Sequence, residues 1–284
     1  MAWTKTARAK YKRQTERFES DLTDAEWDRL APLLPPSSGL GRPRQVDLRE
    51  VVNALLYLLM TGCQWRALPP CFPKASTVRY YFYRWRDQGL YEDLVVALRG
   101  PARELEGRLP AATAGIIDSQ SVKTTESGGP AGYDAGKKVK GRKRHVVVDT
   151  LGLPLVAQVH PANVQDRDGA PAVIAALQQA MPSVVKVWAD GGYGGPKLAL
   201  ALATMPDAPN LEVVPKPDRQ QGFAVLPRRW VVERFFGWLG RCRRLAKDFE
   251  RTIASSLAWL QMAVIRILLR RLGRAETHAN TATY

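Results

Sequence analysis

The stretch Ala114-Gly115-Ile116-Ile117-Asp118-Ser119-Gln120-Ser121 turns from apolar to polar at its aspartate. A short apolar run of this kind predicts a buried strand that ends where the polar residues begin. The stretch Val184-Val185-Lys186-Val187-Trp188-Ala189-Asp190 repeats the pattern and is followed by Gly191-Gly192-Tyr193. A carboxylate at the end of a buried strand lies where α/β proteins usually place their chemistry. Strand termination or helix capping by Asp explains either residue equally well when it is taken alone.

Five strands are predicted between Pro110 and the C-terminal helices, at 114–118, 145–148, 155–159, 184–189 and 211–214. The turn Leu151-Gly152-Leu153-Pro154 predicts a hairpin between the second and the third strand. Helical patterns separate the later strands, and two long helices are predicted at 227–248 and 252–272. This order predicts a mixed α/β domain over 113–272, with a five-stranded sheet covered by helices.

The residues before this domain predict helices alone. Thr23 and Glu26 have the spacing of a capping box, and Asp47 is expected to cap an apolar helix that Gly62 ends. A third helix is expected to begin at Ser76 and to stop at Gly89. We therefore divide the chain into a basic arm (1–20), a small all-helical domain (21–100), a linker (101–112), the α/β domain (113–272) and a flexible tail (273–284).

The charge of the chain indicates a polyanionic partner. Forty-two Lys and Arg against 27 Asp and Glu leave a formal net charge of +15 over 284 residues, which favours nucleic acid, an anionic membrane or another acidic polymer. A merely basic soluble protein is the alternative. The most apolar stretch found, 51–60, contains Asn53 and is half of the ~20 residues that a spanning helix needs. We therefore expect no membrane partner.

The first twenty residues show no apolar segment of a signal peptide, which predicts a cytoplasmic protein. The three cysteines, Cys63, Cys71 and Cys242, match neither a disulfide framework nor the ligand spacing of a zinc site. A reduced compartment agrees with both observations.

Glu233 stands out on the first of the two long C-terminal helices. At 100° per residue, an apolar stripe is predicted at Val231, Phe235, Trp238, Cys242, Leu245 and Phe249. Glu233 falls almost opposite this stripe, beside Gly237 and Gly240. Glycine inside a helix costs about 1 kcal/mol relative to Ala, so these two indicate a surface that another backbone can approach closely. The alternative is a solvated Glu233 paired with Arg229.

Three carboxylates in a basic protein are suited to divalent metal. Carboxylate oxygens are hard ligands for Mg²⁺ or Mn²⁺. Two such ions ~4 Å apart activate an attacking oxygen and stabilise the leaving one during phosphodiester displacement. Without metal, clustered carboxylates repel one another and their pKa values rise.

The sequence around these acids resembles the DDE transposases of bacterial insertion sequences, in particular the insertion-sequence-five group. The matching blocks are Ile116 to Lys123, Trp188 to Tyr193, Arg229 to Arg234 and His160-Pro161-Ala162-Asn163-Val164-Gln165-Asp166. The helical region resembles the N-terminal domain of that group through Leu22 to Trp27, Gly41 to Arg44 and Gly62 to Arg66. The resemblance covers roughly 20–270, with all blocks in order.

The resemblance implies a ribonuclease H-like sheet, and it implies that Asp118, Asp190 and Glu233 are catalytic ligands of two Mg²⁺ or Mn²⁺ ions. It further implies a homodimer on double-stranded DNA. Water would cut the DNA at the element's terminal inverted repeats, and the freed 3′-hydroxyl would then attack target DNA. Relatives often carry a Tyr and a basic residue at the positions held here by Leu226 and Gly240, so Arg241 is expected to supply a phosphate contact instead.

Basic residues that we expect to bind DNA occur in three places. The run 137–144 contributes Lys137, Lys138, Lys140, Arg142, Lys143 and Arg144, although such a run is often a solvated loop. The helix around Glu233 contributes Arg229, Arg241 and Arg244. The helix 77–88 is a candidate recognition helix with Arg79, Tyr83 and Arg86, although much of its aromatic content must be core.

Two other functions remain open from the sequence alone. The same site could belong to a metal-dependent nuclease that cuts DNA without joining it. A decayed transposase that survives as a DNA-binding protein is the non-enzymatic alternative, against which the presence of all three acids argues.

Overall fold

A computed structural model describes residues 4, 15–36, 44–214 and 229–281, with side chains in the last helix described to Arg274. Four helices come first: α1 (Asp24–Leu30), α2 (Leu48–Thr61), α3 (Ala75–Asp87) and α4 (Leu90–Glu104). The capping box of Thr23 and Glu26 is confirmed, as are the Asp47 cap and the stop at Gly62, which adopts φ 68°. Most of the basic arm lies outside the described residues.

Two boundaries in this helical region were wrong. Helix α3 begins at Ala75 after Lys74, so Ser76 lies inside the helix and does not cap it. Helix α4 runs through Pro101 to Glu104, which removes the first residues of the expected linker. Pro101 is tolerated because α4 still packs its apolar residues Leu94, Leu98 and Ala102 into the core on both sides of it.

All five predicted strands are present, and a short sixth strand was missed. The strands are β1 (Ala114–Lys123), β2 (Gly132–Asp134), β3 (Val139–Val148), β4 (Pro154–Pro161), β5 (Lys186–Ala189) and β6 (Asn210–Val213). Strand β3 pairs antiparallel with β1, β2 and β4, whereas β5 pairs parallel with β1 and β6. This mixed sheet with an antiparallel and a parallel half confirms the ribonuclease H-like α/β fold class.

Helices cover the sheet on both faces because neighbouring residues of β1 point in opposite directions. Ile117 packs with α5 (Asp166–Ala180) and α6 (Pro196–Ala203) in the smaller core. Ile116 packs in the larger core with α7 (Arg229–Gly240), α8 (Ile253–Thr281) and the N-terminal helices. The helical region therefore shares its core with the C-terminal helices, and the buried ion pair of Arg103 with Asp149 ties α4 to the sheet.

The C-terminal helices differ from the prediction. Helix α7 ends at Gly240, so the long stripe breaks: Val232, Phe235 and Leu239 are the buried residues of the helix, and Phe249 is 44% exposed. Helix α8 continues to Thr281, beyond the end predicted for it at 272. Gly273 lies against Glu26, where a Cβ would meet the Cγ atom at 2.9 Å.

Helix α8 also contains a longer apolar stretch than the one noted in the sequence. Residues Ile253–Arg274 are long and apolar enough to cross a membrane, but 72% of the stretch is buried inside the protein. Its contacts with α1 and α4 identify it as the helix around which the larger core is built.

Candidate active site

Asp118 lies in the middle of β1, not at its end as predicted, because the strand continues to Lys123. Its carboxylate accepts a hydrogen bond of 2.7 Å from the backbone N–H of Ser119. The pKa of Asp118 is raised to about 6, mainly by burial; the bond from Ser119 opposes the rise, and the charge of Asp190 adds to it. Asp118 is therefore a carboxyl group whose ionised form needs a nearby cation.

Asp190 follows β5 directly and caps the 3₁₀ turn Gly191–Tyr193 through a bond of 2.8 Å from the N–H of Gly192. Ile116 of β1 pairs with Trp188 of β5. Asp118 and Asp190 each come two residues after these partners, so the parallel register brings them side by side on one face of the sheet. The Asp190 side chain therefore both caps this turn and lies beside Asp118.

Glu233 reaches this pair from α7, whose buried residues hold the helix against the sheet. Nη2 of Arg229 lies 3.6 Å from Oδ2 of Asp190 and 3.7 Å from Oε1 of Glu233. Oδ2 of Asp190 and Oε1 of Glu233 are therefore no farther apart than the sum of these two distances. Glu233 is exposed, and at Gly237 and Gly240 an added Cβ would meet no atom within 4 Å, so the surface beside Glu233 is open.

These residues fit a divalent cation by the chemistry of their donor atoms. Three carboxylates supply the hard oxygens that Mg²⁺ and Mn²⁺ prefer, and the partial burial that raises the pKa of Asp118 disfavours its ionised form unless a cation lies beside it. Within the described ranges, no three His, Cys, Asp or Glu side chains are grouped closely enough to hold one metal ion in this conformation. Arg229 lies between two of the acids, so a shared ion requires this side chain to move.

A fourth acid, Asp166, lies beside the pair and was not singled out from the sequence. Its carboxylate accepts bonds from Oγ of Ser119 at 2.6 Å and from Nζ of Lys143 at 2.7 Å. Its charge contributes to the raised pKa of Asp118. The only sequence signal was its position at the end of the block that begins at His160.

The basic run 137–144 divides into exposed and buried residues. Lys137, Lys138 and Lys140 are exposed, and Nζ of Lys137 also reaches the carbonyl oxygen of Ser119 at 2.8 Å. The second half belongs to β3 and not to a loop, and its three basic side chains are buried: Arg142, Lys143 and Arg144.

Each of these three buried side chains is bonded to protein oxygens, which does not favour the expected contact with phosphates. Arg142 pairs with Asp248 and donates to the backbone carbonyls of Pro130 and Arg251. Arg144 donates to the carbonyl of Leu245, and burial lowers its pKa to about 10. These side chains are buried on both faces of β3, where they donate to oxygen atoms of the protein.

The remaining basic residues are also divided by burial. On α7 and the turn after it, Arg241 is exposed, whereas Arg244 is buried, pairs with Glu250 and stacks over the ring of Trp259. Arg244 is therefore not available for the DNA contact expected of it.

On α3, Arg79 and Tyr83 are exposed. Arg86 is half-buried: it stacks on the ring of Tyr83 and donates to Oγ of Ser255 on α8. The core of α3 is formed by Val78, Phe82 and Trp85, as the amphipathic pattern requires.

Comparison with known proteins identifies the family. Residues 110–268 match the model described as "Transposase DDE domain", and residues 22–95 match the model described as "Putative transposase of IS4/5 family". No solved structure matches the chain.

Two relatives have transposase names. A Burkholderia cepacia protein, "Putative transposase for insertion sequence element IS402", is 32% identical over 187 residues, which cover 63% of this chain and 84% of the relative. A Brucella ovis protein, "Putative transposase for insertion sequence element IS6501", is 30% identical over 132 residues, covering 45% of this chain and 98% of the relative. With the family model spanning the whole sheet, the chain belongs to the DDE transposases of insertion sequences.

Proposed function

We propose that this transposase cuts DNA at the terminal inverted repeats of its element and joins the freed 3′-hydroxyl ends to target DNA, using Asp118, Asp190 and Glu233. The observation that carries the proposal is the parallel register that sets Asp118 beside Asp190, with Glu233 tied to the same place through Arg229. The family implies divalent metal in general. Two Mg²⁺ or Mn²⁺ ions belong to the proposal.

Each acid has a separate task. Asp118 and Asp190 supply neighbouring oxygens from a rigid sheet, so they define the position of the reacting phosphate. Glu233 supplies an oxygen from the helix on the other side. Metal bound by these oxygens would activate the attacking oxygen and stabilise the leaving one. The open surface at Gly237 and Gly240 lets a DNA backbone come close to Glu233.

Exposed basic residues would hold the DNA around this centre. Lys137 binds the carbonyl oxygen of Ser119, next to Asp118, and Lys138 and Lys140 are exposed in the same segment. Arg229 lies on the helix of Glu233, and Arg241 follows directly after that helix. Arg79, Tyr83 and Arg86 of α3 are proposed to contact the element ends, as part of a helical region that binds the repeats. Arg142, Lys143, Arg144 and Arg244 are left out of this surface because they are buried and bonded to protein oxygens.

The assembly that the proposal implies is a homodimer on double-stranded DNA, since both ends of an element must be handled together. The protein would act in the cytoplasm on the nucleoid.

An acid cluster of this kind on a basic protein supports DNA as the substrate, because the net charge of +15 attracts the phosphate backbone that the acids alone would repel.

The test is a cleavage and strand-transfer assay on a duplex that carries the inverted repeats flanking the gene. We expect Asp118→Asn and Asp190→Asn each to lower the cleavage rate by more than about a hundredfold, because each removes a ligand charge. Asp93→Asn, on the exposed first turn of α4, is the control and should cleave normally.

Pre-cleaved ends separate the alternatives. Joined products support a transposase, whereas cleavage without joining indicates the nuclease alternative. Binding to the repeats with neither activity indicates a decayed transposase. Undiminished nicking by Asp118→Asn would show that the proposed site is wrong.

A further inference from the structure

The segment from His160 to Asp166 joins β4 to α5. It is one of the blocks that resemble the family, but the chemistry proposed above gives it no role. Its last residue, Asp166, begins α5 and turns its carboxylate toward β1. Oδ1 of Asp166 accepts from both Oγ of Ser119 and Nζ of Lys143. The segment therefore connects the helix layer directly to the residue that follows Asp118.

Lys143 explains why Asp166 stays in place. The Lys143 side chain is 4% exposed, and its ammonium lies 2.7 Å from Asp166 and 3.4 Å from Asp134. A buried ammonium is costly unless it is paired, so the two carboxylates and the lysine hold one another. Asp134 is itself bound by Oγ of Ser121 at 2.6 Å, which anchors the group to β1 a second time.

Ser119 transmits this anchoring to Asp118. Its backbone N–H donates to the Asp118 carboxylate, and its hydroxyl donates to Asp166. Lys137 binds the carbonyl oxygen of the same residue. A serine held at its hydroxyl, its N–H and its carbonyl leaves the neighbouring aspartate little freedom to turn.

The other end of the segment reaches the loop of Asp190. His160 lies 3.4 Å from His145, nitrogen to nitrogen, and Nε2 of His145 lies 2.7 Å from the hydroxyl of Tyr193. Tyr193 closes the 3₁₀ turn that Asp190 caps and is 1% exposed. The segment 160–166 thus contacts the surroundings of both aspartates, one at each end.

We propose that Asp166 is a positioning residue, which fixes the Asp118 carboxylate through Ser119 and thereby its distance from Asp190. The inference rests on the proposed function, because a position matters only if Asp118 takes part in catalysis. Asp166 acts through hydrogen bonds that its oxygen accepts and not as a ligand of metal. An amide oxygen at the same place would accept the same bonds.

Two substitutions distinguish the hydrogen bonds that Asp166 accepts from the effect of its negative charge. Asp166→Asn keeps an oxygen acceptor, and Asp166→Ala removes it. Asp168→Asn is the matched control, because Asp168 occupies the same first turn of α5 but pairs with the exposed Lys197. Single-turnover cleavage at saturating DNA and metal, DNA affinity, Mn²⁺ affinity and thermal unfolding are measured for each variant.

We expect Asp166→Ala to lower the single-turnover rate at saturating metal by about a hundredfold, the scale of a 1 Å misplacement, with a DNA affinity like that of the parent. Asp166→Asn should recover most of the lost rate. The control should cleave like the parent. Ser119→Ala should slow cleavage to a similar degree, and combining it with Asp166→Ala should add little, because both changes break one connection.

Three outcomes would overturn the inference. Cleavage by Asp166→Ala at the parent rate removes the positioning role. Equal loss in the Asn and Ala variants together with lost Mn²⁺ binding makes Asp166 a metal ligand. Additive losses from Ser119→Ala and Asp166→Ala, which can be measured even if one variant is less stable, show that they act separately. If Asp118→Asn also cleaves normally, the proposed function fails as well. If Asp118→Asn is inactive, only the positioning role of Asp166 fails.

Discussion

Nη2 of Arg229 lies 3.6 Å from Oδ2 of Asp190, one of the three acids that the proposed function assigns to metal binding. Glu233 is the second acid within 4 Å of the same nitrogen. The arginine thus places a positive charge beside both carboxylates, and under the proposed function metal and Arg229 would compete for the same oxygens.

This competition predicts tighter metal binding when the arginine is removed. Arg229→Gln should raise the affinity for Mn²⁺ without DNA by about fivefold or more, since one unit charge at 4 Å in a watery setting contributes about 1 kcal/mol. Electron paramagnetic resonance of free Mn²⁺ measures the affinity. Arg241→Gln, an exposed arginine on the turn after the same helix, should leave it unchanged. Equal affinities of the Arg229 variant and the parent would contradict the prediction.

The open surface beside Glu233 predicts opposite effects on stability and on DNA binding. Gly237→Gln should stabilise α7 by up to about 1 kcal/mol, because Gly is poor in helix interiors. The new side chain fills the space where nothing lies within 4 Å of an added Cβ, so DNA affinity should fall. Urea unfolding and DNA titration measure the two effects. Gly237→Ala is the control for the helix and should show the same stabilisation with near-normal DNA affinity. If Gly237→Gln binds DNA as tightly as the parent, DNA does not bind at this face.

The buried His145 predicts a loss of stability in mild acid. Burial and, to a smaller degree, the nearby His160 lower its pKa to about 3, whereas an unfolded His titrates near 6.5. Between these values the unfolded chain binds a proton that the folded chain refuses, so the free energy of unfolding falls as the pH drops, by up to about 1.4 kcal/mol per pH unit. Above pH 6.5 the contribution is fully present.

The test compares the parent with His145→Asn. The variant should be less stable at pH 7, because it loses the contact with Tyr193, but its stability should change less between pH 6.5 and pH 4.5. Urea unfolding at four pH values measures the slopes. Identical slopes for the two proteins would mean that His145 is not the group responsible.

The two halves of the basic run should respond differently to mutation. Lys140→Ala removes an exposed charge, so the slope of log affinity for DNA against log salt should decrease by about 0.9 while the melting temperature stays constant. Arg142→Ala leaves Asp248 buried and unpaired and should cost about 3–5 kcal/mol of stability. A stable Arg142 variant with a reduced salt slope would restore Arg142 to the DNA surface.

Local pattern was sufficient for the start of α1, for both ends of α2 and for five of the six strands. The capping box at Thr23 and the glycine at Gly62 act within a few residues, so their structure could be predicted from the sequence. The end of α7 at Gly240 and the continuation of α8 past Gly273 depend on packing partners that are distant in sequence, and both predictions failed there.

The residue types themselves determined the chemistry available to this protein: hard carboxylate oxygens after apolar strands, and an excess of positive charge that attracts DNA. Only the folded chain decided which of these groups meet. Strand register set Asp118 beside Asp190, and the same ladder buried Arg142 and Arg144, because residues alternate across a sheet and a charge that points inward must find a partner there. The bond of Asp166 to Ser119 joins residues on two separate elements, and such proximity is created by packing and leaves no local pattern in the chain.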